Sequence, residues 1–371
     1  MIMSISAIVL FVVILLVLVV VHEFGHFIVA KLTGMRVDEF AFGFPPRIFA
    51  KKFGETTYAI NAIPLGGYVS IFGENGSDDD KKEHGATTHP RAFGNRPWWA
   101  QLLVLIAGVT MNMALALFIF IIISYGEVKM STDDDIYGSR VTNASIMVTE
   151  VSKGSPAFRA GILPGSTLTK VMSKGMQAPL TTATSLVMFI TAHQNDPFTI
   201  TYTYPHGEIT TTTIAAVYGI VKDKKALGIA LDSIGTVKIT ALEAIPLGFT
   251  RTSNITQLTF EGLVSVVRSA IHGDSVLKSL SGPVGIAKIV GETSEYGYVA
   301  VLTLVAALSI NLAIFNILPL PALDGGRMVV VVIEAISRRK VPMKYYSWVN
   351  VLGFGALMLL LIIVTINDLR V

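Results

Sequence analysis

Apolar residues gather into four long runs along this chain, near residues 5–30, 102–123, 299–318 and 349–366. Each approaches the ~20 residues that cross a bilayer as a helix. The first run, from Ile5 to Val21, holds no charged residue. Aromatic residues stand at several of the ends: Trp98 and Trp99, Tyr125, Tyr296 and Tyr298, and Tyr345, Tyr346 and Trp348. Such belts mark the boundary between lipid and water.

Between the runs the period changes. Thr56 to Ile63 and Tyr68 to Phe72, separated by Pro64-Leu65-Gly66-Gly67, predict a β-hairpin over 56–72. A second hairpin is predicted over 197–217, turning at Pro205-His206-Gly207 into a Thr-rich strand. From Thr259 to Gly273, Phe260, Leu263, Val264, Val267 and Ile271 form one stripe opposite Glu261, Ser265, Arg268 and His272. That pattern predicts an amphipathic helix, lying on the outer membrane surface or packing on an outward domain. Asn75 to Pro90, with Asp78 to Lys82, His84 and His89, reads as a solvated linker.

Composition agrees with the spans. Of 371 residues, 52% are hydrophobic and 15% charged, with mean hydropathy +0.61, which suits a polytopic membrane protein. The net charge of +3 is spread out and indicates no nucleic-acid partner. With no cysteine, disulfides, thiolate zinc sites and cysteine nucleophiles are excluded. Met1 to Val21 lacks a basic start and a small-residue cleavage site, so it reads as a retained span. Basic residues crowd the first loop (Lys31, Arg36, Arg47, Lys51, Lys52, Lys81, Lys82, Arg91, Arg96) and the last (Arg338, Arg339, Lys340, Lys344). The positive-inside rule makes these loops cytoplasmic, leaving both termini and residues 127–298 outside.

The candidate chemistry lies at the end of the first run, in His22-Glu23-Phe24-Gly25-His26. Histidines four apart share a helix face and offer one cation two nitrogens. Glu23 stands beside them as a base for activated water, the H-E-x-x-H arrangement of metalloproteases. Ionisable groups inside a span are expensive and need a reason. A third ligand is expected from Asn316-Ile317-Leu318-Pro319-Leu320-Pro321-Ala322-Leu323-Asp324-Gly325-Gly326. There the prolines break the helix, and Asp324 can point inward from irregular backbone. Read alone, the same stretch is a turn with a capping aspartate. Two histidines, an aspartate and an open position fit zinc best.

Two resemblances follow from these residues. Ser155-Pro156-Ala157-Phe158-Arg159-Ala160-Gly161-Ile162-Leu163-Pro164-Gly165 resembles the bacterial PDZ signature, except that Ser166 replaces the usual acidic residue. Leu227-Gly228-Ile229 would then be the loop that receives a peptide carboxylate. H-E-x-x-H in span one with N-x-x-P-x-P-x-L-D-G in span three resembles the site-2 protease family of intramembrane metalloproteases. The PDZ insert makes the chain similar to the bacterial RseP group, regulators of the envelope stress response. Further matches are Pro64-Leu65-Gly66-Gly67-Tyr68-Val69, Ala107-Gly108-x-x-x-Asn112 and Gly282-Pro283-Val284-Gly285, with Val109 departing from the usual proline.

The resemblance implies one zinc per chain, held by His22, His26 and Asp324, with Glu23 moving the proton. It carries Asn316, Pro319, Pro321, Gly66 and Gly67 over as substrate-binding positions. Asn316 serves either the oxyanion or the substrate backbone, and the 56–72 hairpin either captures an extended peptide or packs on the membrane domain. The implied substrates are single-span proteins, anti-sigma factors or signal-peptide remnants, trimmed beforehand by an upstream site-1 protease. The implied place is the bacterial inner membrane.

The expected fold class is a polytopic α-helical membrane protein of four spans with an inserted extracytoplasmic PDZ-like α+β domain and a cytoplasmic, membrane-associated β-hairpin. Its divisions are 1–126, the PDZ-like domain 127–235, a linker 236–298, and 299–371. Two other readings stay open: a surface-cutting metalloprotease with a glutamate ligand, and a non-enzymatic PDZ scaffold or metal carrier.

Overall fold

The structure is a computed structural model that describes residues 4–74, 89–134, 136–221, 224–272 and 281–369. Of the expected linker over 75–90, residues 75–88 with His84 lie outside these residues, while His89 is described and sets its ring edge-on to Phe72 at 5.3 Å.

The chain begins with helix α1 (Ile5–Leu32), capped by Ser4, whose hydroxyl accepts from the Ala7 N–H. Strands β1 (Val37–Phe53) and β2 (Thr56–Ile71) follow, then helix α2 (Trp98–Ile123). Next come β3 (Gly126–Ser131), β4 (Thr142–Val151), the one-turn α3 (Pro156–Arg159), β5 (Thr167–Ser173), β6 (Met176–Gln177) and α4 (Ala183–Ala192). β7 (Pro197–Thr203), β8 (Ile209–Ala215), β9 (Val217–Val221), β10 (Lys224–Ala226) and β11 (Ile229–Ile239) complete the β-rich part. Among the described residues, five helices close the chain: α5 (Ala241–His272), α6 (Pro283–Ser294), α7 (Tyr298–Ile317), α8 (Asp324–Ser337) and α9 (Met343–Asp368).

Four helices among the described residues are long and apolar enough to span a membrane: Ile5–Leu32, Trp98–Ile123, Tyr298–Ile317 and Ser347–Asp368. They match the four apolar runs to within a few residues. The protein is a multi-pass membrane protein with an inserted β-rich region. By internal contacts the chain divides into two compact units, residues 1–123 with 245–371, and residues 124–244.

In the first unit α2 is central, packing on α1 and on α7. Ile14 and Leu18 of α1, Ala116, Ile119 and Phe120 of α2, Val290 of α6 and Val305, Ala306 and Ile310 of α7 share one buried core. α9 leaves most of its apolar surface open, a face suited to lipid. Gly285 anchors the start of α6 to its far end by donating its N–H to Asp368 Oδ2 at 2.8 Å.

The first-loop sheet differs from the predicted hairpin. Segments 56–63 and 68–72 do not pair with each other. β1 supplies residues 39–42 between them: Phe40 faces Val69 on one side and Tyr58 on the other, and Phe42 faces Gly67 and Ile60. The tight turn sits at Gly54-Glu55, where Phe53 pairs with Thr56. Alternation and turn residues identified strands, but pairing depends on a partner upstream whose Pro45-Pro46 hid its strand character. The sheet is seated on α1 by Phe27, whose ring meets Phe40 at 5.4 Å and Tyr58 at 6.0 Å.

Two helices also depart from expectation. The amphipathic segment expected over 259–273 is, through His272, the second half of a longer helix that starts at Ala241 and continues through Pro246; Gly273 lies outside the described residues. α8 was not predicted, because its Val329-Val330-Val331-Val332-Ile333 run favours a strand by local preference.

The second unit has its own core: Val148, Ile162, Leu168, Val171, Leu186, Phe198, Ile200 and Tyr202. Its sheet runs β3-β11-β4-β5-β7-β8, with β6 beside β5, and β9 pairs with β10 separately. The predicted 197–217 hairpin forms, Phe198 opposite Ile214 and Thr203 opposite Ile209. Leu227, Gly228 and Ile229 lead into β11. The Leu227 carbonyl accepts from the Ala157 N–H at 3.1 Å, and the Gly228 carbonyl from the Ser152 N–H at 2.9 Å. Residues 229–234 pair with β4, and α4 lies alongside, its Ala183 N–H donating to Ser233 Oγ at 2.7 Å.

Candidate metal centre

One turn apart on α1, His22 and His26 are 6% and 7% exposed. Two glycines let α2 approach them. A Cβ on Gly108 would stand 2.4 Å from His26 Nε2 and 2.7 Å from His22 Cε1, and one on Gly25 would stand 2.4 Å from the Ala107 carbonyl oxygen. Any larger residue at either position would force the helices apart and spread the imidazoles.

The rings are also oriented. His26 Nδ1–H donates to the Val104 carbonyl at 2.8 Å. His22 Nδ1 lies 3.4 Å from the Asn112 side-chain amide. Asn112 is fully buried, and its Oδ1 has no partner. Amide nitrogen and oxygen exchange on a half-turn of the side chain. That turn gives Oδ1 the His22 Nδ1–H and satisfies the orphaned oxygen. Both rings then present a bare Nε2 to the same point.

Asp324 arrives there from 302 positions away. α7 ends at Ile317, and the chain bends through 318–323 with Ala322 in the left-handed region (φ +69°). Asp324 is then the first residue of α8. This corrects the expectation that Asp324 projects from irregular backbone and that the glycine pair makes the turn. Gly325 and Gly326 lie in the first helical turn; a Cβ on Gly325 would stand 2.2 Å from the Leu318 carbonyl oxygen, so they permit close approach. α9 fixes the bend: Asn350 Oδ1 accepts from the Ala322 N–H at 3.0 Å, and Pro321 packs against Gly353.

The three ligand atoms form a small triangle. His22 Nε2 is 3.0 Å from Asp324 Oδ2, His26 Nε2 is 3.3 Å from that oxygen, and the two nitrogens are 3.1 Å apart. With both Nδ1 atoms spoken for, these are three acceptors facing one another without a donor. They repel unless a cation lies among them. A tetrahedral metal with bonds of about 2.0–2.1 Å sets its ligand atoms ~3.3 Å apart. The residues fit zinc.

Around this triangle stand groups able to handle substrate. Asn316 Nδ2 is 3.4 Å from His22 Nε2. Glu23 faces β2, where a Cβ on Gly67 would be 3.7 Å from its Cγ. Residues 67–71 pair with β1 on one side and have no strand partner on the other among the described residues. Gly66 (φ +131°) passes under the Phe44 ring. Pro319, exposed, and Pro321 lie in the 318–323 bend. Asn112 and the Val104 carbonyl were not anticipated as parts of the site. The signal for Asn112 was a lone amide four residues beyond Gly108 in an uncharged span; a backbone carbonyl leaves no signal.

Comparison with known proteins gives a consistent result. The family model described as Peptidase family M50 matches residues 10–360. A relative from Clostridium perfringens is 34% identical over 353 residues, 95% of each chain. The zinc metalloprotease RasP of Geobacillus kaustophilus is 28% identical over 442 aligned positions, 99% of this chain and 98% of that one. The regulator of sigma-W protease RasP of Bacillus subtilis is 26% identical over 99% of each chain.

Proposed function

From the premise that this chain belongs to peptidase family M50, the site-2 proteases, and is a zinc metalloprotease, we propose that it cuts transmembrane segments of single-span proteins within the bilayer. The observation that carries the proposal is the triangle of His22, His26 and Asp324, its histidines on a helix long and apolar enough to span the membrane, with Glu23 at its side. His22, His26 and Asp324 hold one zinc. Bound zinc supplies a Lewis acid that acidifies water and draws charge from the scissile carbonyl.

The protein's own groups do the rest. Glu23 takes the proton from the attacking water and delivers it to the leaving amide nitrogen as the C–N bond breaks. The Asn316 amide is close enough to hold the substrate carbonyl or steady the developing oxyanion. A helical substrate has its carbonyls hydrogen-bonded already and must be drawn out straight before attack. The open edge of β2 at 67–71, running past Glu23, supports capture of the extended stretch by strand addition. His22 and His26 hold their orientation through the Val104 carbonyl and Asn112.

The finer reading extends to the whole chain. Residues 127–235 act as a PDZ-like domain, supported by Ser155-Pro156-Ala157 at α3 and by Leu227-Gly228-Ile229 at the start of β11. It screens out substrates that have not been trimmed by a site-1 protease. The termini and that domain face outward from a bacterial inner membrane, by the distribution of basic residues. A glutamate-ligand enzyme has less support, since the carboxylate on the two histidines is that of Asp324.

The test is cleavage of a single-span reporter lacking its outer domain, in membranes holding wild type or Glu23→Gln. A fragment from wild type alone, abolished by a chelator, is expected. The same fragment from Glu23→Gln, or none from wild type with one zinc bound, would reject the reading.

A further inference from the structure

One turn beyond Asp324 on α8 stands Arg327, a charged side chain only 14% exposed. Its Nη1 donates to Glu74 Oε1 at 2.5 Å and its Nη2 to the Glu74 carbonyl at 2.5 Å. Its guanidinium lies over the Phe93 ring, 4.5 Å from the centroid. The Glu74 side chain is 16% exposed and faces two ways. Its other carboxylate oxygen, Oε2, accepts from the Ile71 N–H at 3.4 Å, and its own N–H donates to the Ile71 carbonyl at 3.1 Å. Glu74 therefore locks the end of β2.

The geometry points to Arg327 and Glu74 as positioning residues for proteolysis. They tie the helix that begins at Asp324 to the strand whose open edge passes Glu23. The argument rests on the site-2 reading above and adds a part to it. Substrate on the β2 edge is held relative to Glu23 and the metal ligands by two stretches 253 residues apart in sequence. Met328 and Val331 of α8 share an apolar core with Val69 and Ile71 of β2, and such packing tolerates sliding; the forked guanidinium adds direction, because its two donors engage two separate atoms of Glu74. Lysine keeps the charge but offers a point contact, so it preserves the ion pair and loses the angle. A misplacement of about 1 Å at a reacting centre costs on the order of 100-fold in rate.

The pair could instead serve stability alone, and the experiment separates the two roles. Arg327→Met, Arg327→Lys and Glu74→Met are purified, with the Arg327→Met/Glu74→Met double variant. Each is assayed for bound zinc, thermal unfolding, hydrogen exchange over residues 67–74, and kcat and KM on the trimmed reporter. Positioning predicts zinc at one per chain, faster exchange over 67–74, and kcat lowered about 10- to 100-fold with KM little changed. Arg327→Lys falls between wild type and Arg327→Met, and the double variant is no slower than Arg327→Met. Unchanged exchange and kcat, or losses of zinc and unfolding temperature that account for the whole rate effect, would overturn the proposal. If wild type fails to cut the reporter, the site-2 reading falls, while the exchange measurement still decides whether Arg327 holds the strand.

Discussion

Asn112 shows how much a single buried amide can decide. With its oxygen toward His22 Nδ1–H, it selects the tautomer that leaves Nε2 free for metal. Asn112→Ala is expected to weaken zinc binding about 10- to 100-fold with the fold retained, as measured by competition against a chelator of known affinity. Gly108→Ala acts on the same rings by crowding. Its methyl would fall within 2.4 Å of His26 Nε2, so the purified variant should carry well under one zinc per chain. Residue by residue, the sequence was legible where chemistry demands a rare combination: His22 and His26 stand out at once, and Asp324 does so only when read together with them. It was silent on Val104, whose contribution is a carbonyl that any residue could provide.

Secondary-structure elements were legible by length and period, less so by partner. The four apolar helices could be read directly, since crossing a bilayer constrains every residue in them. The 56–72 strands were found but mispaired, because registers are fixed by contacts across the sheet rather than along it. α8 was missed because its β-branched run is helical only in the company of α2 and the 318–323 bend. Where α1 ends, a small ion network secures the first-loop sheet: Glu55 accepts from Arg91 through both oxygens at 2.8 Å and from Lys31 at 2.5 Å. The Arg91 guanidinium, then Lys31, hold the Glu55 carboxyl down at about 2, below its ordinary 4.5. A depressed carboxylate stabilises the fold fully above its unfolded value and loses that contribution as pH falls from about 4.5 towards 2. For a partly exposed network, about 1 kcal/mol is expected at pH 7. Glu55→Gln should therefore unfold earlier than wild type at pH 7, with the gap closing by pH 2 in detergent melts.

At the scale of the whole molecule, charge and hydropathy separate an apolar catalytic part from a threonine-rich insert, and the structure has compact units at 124–244 and around it. What the sequence could not convey was the role of the insert, which no single motif encodes. Gly228 sits at φ +80° with Ser155 Cβ 2.2 Å from where its own would be. Gly228→Val should distort the loop before β11. If residues 124–244 screen substrates, cleavage of an untrimmed reporter rises relative to a trimmed one. An unchanged ratio would remove screening from the account of this domain.

The distance of 302 residues between His22 and Asp324 also bears on how the enzyme is made. At about 5–20 residues per second, a ribosome needs roughly 15–60 s to travel that far. Throughout that interval the newborn protein sits beside other nascent membrane segments. It has His22, Glu23 and His26, but lacks the aspartate that completes the cluster. Chain order alone thus defers completion of the His22, His26 and Asp324 cluster to a late stage of translation.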